Sequence, residues 1–420
     1  MFSKIKRIYN EYPNPFKVLL LATFIDRFGG FLLFPFFSYY IIDRFGVGGT
    51  QVGFLITMFS AGSIVGGILG GALADKYGRR SMVVLGLISS GIGSILMGLV
   101  DNLYLFLMLA GFLGILGNIG GPARQAMVAD LLPSEKRARG FGLLRVAVNL
   151  SATFGPILGG FLATHSYLSL FIADAISSLF TALIVILVIP ETKPNKEGAK
   201  TEETVMKTFI GYKEVLKDSV YIIFLAVSAL TVIVYMQMNT TLPYFLKQMY
   251  GFTKTGYGLL LSMNAVMVVI FQFGITKRIT KYDPMKMMAF GTFLYMIGFG
   301  MYGFISEIYL FFIAMAILTI GEMIVIPVSQ ATVTLFAPED KRGRYMAIYG
   351  FHWSMPNLFG VLAAGLVYDY IGPNWVWYLA GILCLISVIG FLLLHSVVKE
   401  RISKETERFI DNTENYIKLT

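Results

Sequence analysis

The chain has 420 residues, of which 56% are hydrophobic and 14% carry a charge. A soluble domain carries about a quarter charged residues, so this composition excludes an ordinary soluble protein and places most of the chain in lipid. The net charge of +9 does not indicate nucleic-acid binding, because the basic residues collect in the loops on one side of the predicted helices.

The apolar segments predict an all-α membrane protein with twelve transmembrane helices, since about twenty apolar residues span a bilayer. We expect an N-terminal six-helix bundle at 1–190, a cytoplasmic linker at 191–218, a C-terminal six-helix bundle at 219–398 and a cytoplasmic tail at 399–420. An amphipathic helix is predicted in the linker at Val205–Leu216. The predicted spans are 16–42, 51–74, 80–100, 103–131, 138–163, 167–189, 219–248, 254–280, 284–305, 308–336, 343–369 and 374–397.

The positions of the basic residues predict the orientation of these helices. Of 34 Lys and Arg residues, only Arg44, Lys247 and Lys254 fall in loops assigned to the outside. Cytoplasmic loops carry an excess of Lys and Arg. We therefore expect both termini to be cytoplasmic, in a multi-pass protein of a prokaryotic-type cytoplasmic membrane.

The first half of the chain recurs in the second half with a constant offset, so that Pro122 corresponds to Pro327 and Pro133 to Pro338. A gap-free repeat in apolar sequence predicts two parallel copies of one six-helix unit. Such repeats build transporters whose halves rock about a site between them. Further pairs with the same offset include Gln125 with Gln330, Lys136 with Lys341 and Gly160 with Gly365.

The loop after the second span resembles the signature of the major facilitator superfamily between its second and third helices. The matching positions include Gly71, Asp75, Gly78, Arg79 and Arg80. The resemblance implies the major facilitator fold, and it implies that this loop latches the two halves together on the cytoplasmic side. Gly78 permits a tight turn in this loop, and Asp75 at a helix end can meet a positive group.

The fifth span resembles the antiporter motif of the drug:proton branch of that family. The motif positions are Gly142, Gly155, Pro156, Gly159 and Gly160, with Ser151 at one further glycine position. The resemblance implies export by antiport. The alternative is a kinked and closely packed helix without that role.

Glu322 is the charge within a predicted span that most strongly indicates function. An ionised group in the membrane costs a few kcal/mol unless it is paired or hydrated. The segment from Gly321 to Pro327 resembles a tenth-helix pattern of some proton-coupled multidrug exporters, which implies proton coupling and cation recognition. The alternative is a glutamate hydrogen-bonded into the packing.

Three further charges are candidates for proton coupling. Asp26 lies near the middle of the first span beside Arg27, and either a second proton site or a buried charge network explains it. Arg124 resembles a basic residue implicated in coupling in many relatives and could orient a carboxylate. Asp174 in the sixth span is more simply explained by a structural hydrogen bond.

Polar and aromatic residues on two spans predict a substrate cavity, since aromatic faces suit flat lipophilic cations. These residues are Tyr235, Gln237 and Asn239 on the seventh span and Phe351, Trp353 and Asn357 on the eleventh. His352 is more simply a satisfied core histidine than a titrating group.

Together these features predict a proton-coupled exporter of lipophilic or cationic small molecules that works by alternating access. The alternative is a carrier with narrow specificity for a metabolite such as a sugar, amino acid, peptide, siderophore or lipid. No metal-ligand cluster or nucleophile arrangement is present in the sequence, so we expect no enzyme activity, cofactor or metal. The expected partners are a small-molecule substrate, protons and the lipid bilayer, with no nucleic acid, and we expect a monomer.

Overall fold

The computed structural model describes residues 11–193, 215–279, 281–336 and 342–419, and the regular structure of these residues is helical throughout. The predicted linker helix at Val205–Leu216 lies mostly outside the described residues. The helices are α1 Asn14–Leu33, α2 Phe37–Phe45, α3 Gly49–Tyr77, α4 Arg79–Leu99, α5 Leu103–Asn118, α6 Gly120–Leu131, α7 Ser134–His165, α8 Tyr167–Val188, α9 Ser219–Met236, α10 Thr241–Tyr250, α11 Lys254–Ile279, α12 Pro284–Met301, α13 Ile308–Phe336, α14 Arg342–Tyr370 and α15 Trp375–Leu419.

The helices confirm the prediction of an all-α membrane protein. Among the described residues, ten helical segments are long and apolar enough to cross a membrane. The other two expected spans correspond to α12 and α14, which are helical over the expected residues. Three spans that we expected to be continuous are interrupted: the first between α1 and α2, the fourth between α5 and α6, and the seventh between α9 and α10.

The interruptions of the first and seventh spans fall at equivalent points of the repeat. A 3₁₀ turn at Phe34–Phe36 separates α1 from α2 and contains Pro35, which has no N–H to continue the α-helical hydrogen bonds. The equivalent of Pro35 is Thr240, in the turn before α10. There the Gln237 side chain accepts hydrogen bonds from the Thr240 and Thr241 hydroxyls at 3.3 and 2.6 Å. Different side chains therefore produce the same break.

The chain divides into two compact units that interleave along the sequence. The first contains residues 1–199, 237–269 and 361–370, and the second contains residues 200–236, 270–360 and 371–420. The first unit thus includes α1–α8 together with α10, much of α11 and the end of α14. The boundaries expected for the two six-helix bundles remain a prediction.

Glycines in α3 set the helix packing of the first unit. A Cβ atom at Gly62, Gly66 or Gly70 would collide with backbone carbonyl oxygens of α5 and the residue that follows it. Small residues let helices approach closely in lipid, where packing holds them together. This glycine stripe is therefore explained by contact between α3 and α5.

A cluster of polar side chains joins three helices in the second unit. Arg401 of α15 donates two hydrogen bonds to Asp218, just before α9, at 2.7 and 2.8 Å, and the Tyr345 hydroxyl of α14 donates a third at 2.7 Å. Burial alone raises the pKa of the Asp218 carboxyl, but these hydrogen bonds outweigh it and hold the pKa below its ordinary value. The cluster stabilises these helix ends as an ion pair.

Candidate functional site

Glu322 of α13 has a hydrogen-bond partner on another helix of the second unit. The Tyr235 hydroxyl at the end of α9 donates to Glu322 Oε1 at 3.1 Å. Both side chains are half-buried. A carboxylate in this position is partly desolvated, and the phenol supplies a hydrogen bond that stabilises its ionised form.

Aromatic rings surround this pair. Tyr295 of α12 stacks on Tyr235 with ring centroids 6.0 Å apart, and Trp353 of α14 meets Tyr235 edge-on at 5.9 Å. We call Glu322, Tyr235, Tyr295 and Trp353 the aromatic–carboxylate group. Aromatic faces next to a negative charge attract a cation. This arrangement can bind an organic cation or a proton.

The same rings border a pocket in the second unit. Tyr235, Tyr295 and Trp353 line one part of it, and Ser329 and Tyr349, whose hydroxyls are 3.1 Å apart, line another. Of the residues predicted to form a cavity, the structure thus brings Tyr235 and Trp353 together.

The other predicted cavity residues are placed differently. Gln237 is buried and holds the turn between α9 and α10, and Asn239 lies half-buried in that turn. Both belong to the first unit. Asn357 is half-buried on α14 and does not line the pocket. The Phe351 side chain lies outside the described residues.

The predicted coupling residues of the N-terminal half form a separate cluster in the first unit. Arg124 of α6 pairs with Asp26 of α1 at 2.9 Å, and the Ser178 hydroxyl of α8 donates to Asp26 at 3.4 Å. Asp174 is buried one turn before Ser178. Arg27 is exposed. Arg124 and Asp26 therefore form an ion pair between α6 and α1.

The predicted latch loop makes its described contacts inside the first unit. Gly78 has φ +101°, in the region that favours glycine, so the predicted tight turn is confirmed. The carboxylate of Glu191 accepts backbone N–H groups of Arg79 at 2.8 Å and Arg80 at 3.2 Å, which caps α4. Arg79 also pairs with Asp130. A Cβ atom on Gly71 would meet open space, and the Asp75 side chain lies outside the described residues.

The glycines predicted as an antiporter motif lie on α7 against other helices of the first unit. A Cβ atom on Gly155 would come within 2.6 Å of the Phe31 side chain, and one on Gly160 within 3.1 Å of the Lys254 carbonyl oxygen. Gly159 faces the Leu32 carbonyl, and Pro156 lies inside the helix. At Gly142 a Cβ atom would have open space. The motif glycines from Gly155 to Gly160 therefore pack closely against neighbouring helices, whereas Gly142 does not.

A set of contacts that we did not predict joins helix ends of the first unit where external loops are expected. The Asp369 carboxylate, near the end of α14, accepts the backbone N–H groups of Gly49 at 2.9 Å and Thr50 at 2.7 Å. Asp43 pairs with Lys247 and accepts a hydrogen bond from the Tyr167 hydroxyl at 2.6 Å. We call these contacts the outer ties.

The residues missed by sequence reasoning are partners distant in the chain. Tyr295, Glu191 and Asp130 carry no motif that separates them from other residues of their type. For Asp43 and Asp369 the only signal is an acidic residue beside an outer loop. The residues that they contact are far away in the sequence, so no local sequence pattern predicts these contacts.

Comparison with known proteins places the whole chain in context. A family model described as Major Facilitator Superfamily matches residues 19–277 and 239–414. A Na(+), Li(+), K(+)/H(+) antiporter of Planococcus maritimus is 25% identical over 418 residues, which cover 93% of this chain and 98% of that protein. Multidrug resistance protein 1 of Bacillus subtilis (strain 168) is 24% identical over 385 residues, covering 88% and 94%.

Solved structures share the fold. A POT family transporter in complex with 5-aminolevulinic acid is 17% identical and superimposes with a TM-score of 0.77, covering 92% of this chain and 97% of that chain. At this identity the likeness concerns the arrangement of the helices alone.

Proposed function

Because the chain belongs to the major facilitator superfamily and is therefore a membrane transporter and not an enzyme, we propose that it is a proton-coupled exporter of lipophilic or cationic small molecules. It acts by alternating access in the cytoplasmic membrane, with both termini in the cytoplasm. The proposal is supported by the antiporter and multidrug relatives and depends above all on one observation, the aromatic–carboxylate group around Glu322.

In this proposal Glu322 exchanges a cationic substrate for a proton. The ionised carboxylate and the rings of Tyr235 and Trp353 attract the cation, whose charge replaces the proton. A proton arriving from outside neutralises Glu322 and so weakens cation binding. Glu322 then holds either the cation or the proton, and each of them favours a different conformation of the transporter. Coupled exchange requires such a difference.

The N-terminal cluster has a supporting part in the proposal. Asp26 receives a second proton, Arg124 holds its carboxylate when it is ionised, and Asp174 lies beside them on α8. The latch loop and the α7 glycines serve the conformational change: the loop restrains the cytoplasmic ends, and the glycines let α7 move against α1 and α11.

One relative supports a second candidate function. The 25% identical protein is named as an alkali cation/proton antiporter, and a carboxylate with hydroxyl neighbours can also bind a small metal cation. A narrow-specificity metabolite carrier remains the third possibility. A transport screen separates the three functions. Transport of several organic cations supports the exporter, transport of alkali cations alone supports the alkali cation/proton antiporter, and strong transport of one metabolite supports the narrow-specificity carrier.

The proposal is tested by measuring lumenal pH in proteoliposomes while lipophilic cations or alkali salts are added under an imposed proton gradient. We expect substrate-dependent proton movement by the wild type and its loss in Glu322→Gln. Glu307→Gln is the matched control, because Glu307 is an exposed acid just before α13. Proton movement by Glu322→Gln at the wild-type rate contradicts the assignment of Glu322.

A further inference from the structure

Three buried polar atoms around the pocket have no hydrogen-bond partner among the described residues. They are Ser228 Oγ, Thr231 Oγ1 and His352 Nδ1, and their residues are 1%, 2% and 7% exposed. A buried polar atom without a hydrogen-bond partner destabilises the folded protein. Three such atoms in one place therefore point to a partner that is not a protein side chain.

The three atoms belong to residues that line one cavity. Ser228 and Thr231 are one turn apart on α9 and share a face, and His352 lies on α14. The cavity offers about 20 Å³ to the centre of a water-sized molecule. One water needs about 10–15 Å³ and two to four polar partners. The space and the polar lining therefore fit one water molecule.

The cavity is also next to the coupling site. Tyr235 lines it, and the Tyr235 hydroxyl is hydrogen-bonded to Glu322. Tyr235 is thus the residue that both lines the cavity with Ser228 and Thr231 and contacts the Glu322 carboxylate.

We propose that this pocket holds an ordered water molecule, bound by Ser228, Thr231 and His352, that exchanges protons with Glu322 through the Tyr235 hydroxyl. The inference rests on the proposed role of Glu322 in proton coupling. It adds the path by which that proton enters and leaves.

The transfer balances without a further reactant. When Glu322 is protonated, its O–H donates to the Tyr235 oxygen. The carboxyl proton moves to the phenol oxygen as the phenolic proton moves to the water. Glu322 is left ionised, Tyr235 keeps one proton, and the water becomes hydronium. The reverse sequence protonates Glu322.

The water itself is tested by radiolytic footprinting of the wild-type protein, which oxidises side chains next to trapped water. Met288 lines the pocket, while the equally buried Met315 of α13 does not. We expect Met288 to be oxidised several-fold faster than Met315, and we expect Thr231→Val to reduce the difference. Equal oxidation of the two methionines overturns the proposal. This readout needs no transport and stands even if Glu322 carries no proton coupling.

The path is tested by stopped-flow recording of substrate-induced proton release. We expect Thr231→Val to slow proton release severalfold, with unchanged equilibrium binding of the substrate. Thr319→Val is the control, because Thr319 is also buried in the second unit but bonds the Met315 carbonyl and does not line the pocket. If the wild type releases protons and Thr231→Val releases them equally fast, the water path is wrong. If no variant releases protons, the proposed function has failed instead.

Discussion

Asp26 and Arg124 show how charged side chains are accommodated within the membrane-spanning helices of this protein. Their side chains are 14% and 18% exposed and form an ion pair at 2.9 Å. A lone charge at this depth would cost several kcal/mol, whereas the pair and the Ser178 hydroxyl compensate it. The ion pair therefore stabilises the structure whether or not Asp26 also carries a proton.

A double-mutant cycle separates the structural role of the pair from a role in proton coupling. Asp26→Asn and Arg124→Gln should each destabilise the protein by about 3 kcal/mol, because each leaves an uncompensated charge. The double variant should lose less than the sum of the two. Thermal unfolding in detergent measures stability, and proton-coupled transport by the double variant measures function. Additive losses of stability would show that the two groups do not interact.

Sequence reasoning located these charges but not their partners. The cost of a charge in lipid marked Asp26, Arg124 and Glu322 as unusual. Tyr235 and Trp353 were predicted as cavity residues, but Tyr295 and Ser178 resemble many other tyrosines and serines of this chain and could not be selected from the sequence. Gln237, predicted to line a cavity, instead holds a helix break.

At the scale of helices, the two copies of the repeat make corresponding close approaches. Gly365 of α14 meets the Gly49 carbonyl at the start of α3, and Gly160 of α7 approaches the carbonyl of Lys254 at the start of α11. Gly365 is the repeat equivalent of Gly160, and Lys254 that of Gly49. Both contacts and the outer ties lie within the first unit.

The contact at Gly365 should not tolerate a methyl group. In Gly365→Ala the new Cβ atom collides with backbone, which cannot move as a flexible side chain can. We expect the packing of α14 on α3 to loosen, and a cysteine introduced at the buried Ser38 to react faster with an impermeant maleimide in a Cys384→Ser background. Gly350→Ala on the same helix is the control, because its Cβ atom meets open space. Equal labelling of both variants would contradict this.

The Asp218–Arg401 ion pair gives a pH-dependent prediction. The folded pKa of Asp218 lies below its ordinary value, so the pair contributes its full stability above about pH 3.9, the unfolded value. That contribution is lost as the pH falls through the folded pKa. Arg401→Gln should lower the free energy of unfolding by about 2 kcal/mol at pH 7. The difference from wild type should shrink in acid below the unfolded pKa.

Unfolding of the two proteins from neutral to acid pH checks this expectation. Lys399→Gln removes a neighbouring exposed charge and should match the wild type throughout. The Arg401 guanidinium also lies over the Phe336 ring, 5.0 Å from its centroid. A loss of stability in Arg401→Gln that is independent of pH would show that Arg401 acts through this ring and not through the Asp218 carboxylate.

For the whole molecule, the sequence predicted the helices well, because apolar runs of bilayer length leave a clear signal. Most helix ends agree with the predicted spans within a few residues. The breaks at Phe34–Phe36, at Ile119 and at Gln237–Thr240 were missed. The first contains Pro35 and the last contains Gln237 and Asn239, but proline and isolated polar residues also occur within continuous membrane helices. The interleaving of the two units also escaped prediction, because it depends on contacts between residues far apart in the chain.

The central claim is that a cationic substrate and a proton compete for Glu322. It is tested most directly by adding a transported cation to the purified protein in weakly buffered detergent solution and recording the pH. We expect the wild type to release about one proton per bound cation and Glu322→Gln to release none. Release of the same amount by Glu322→Gln would contradict the account and assign the exchange to another acid.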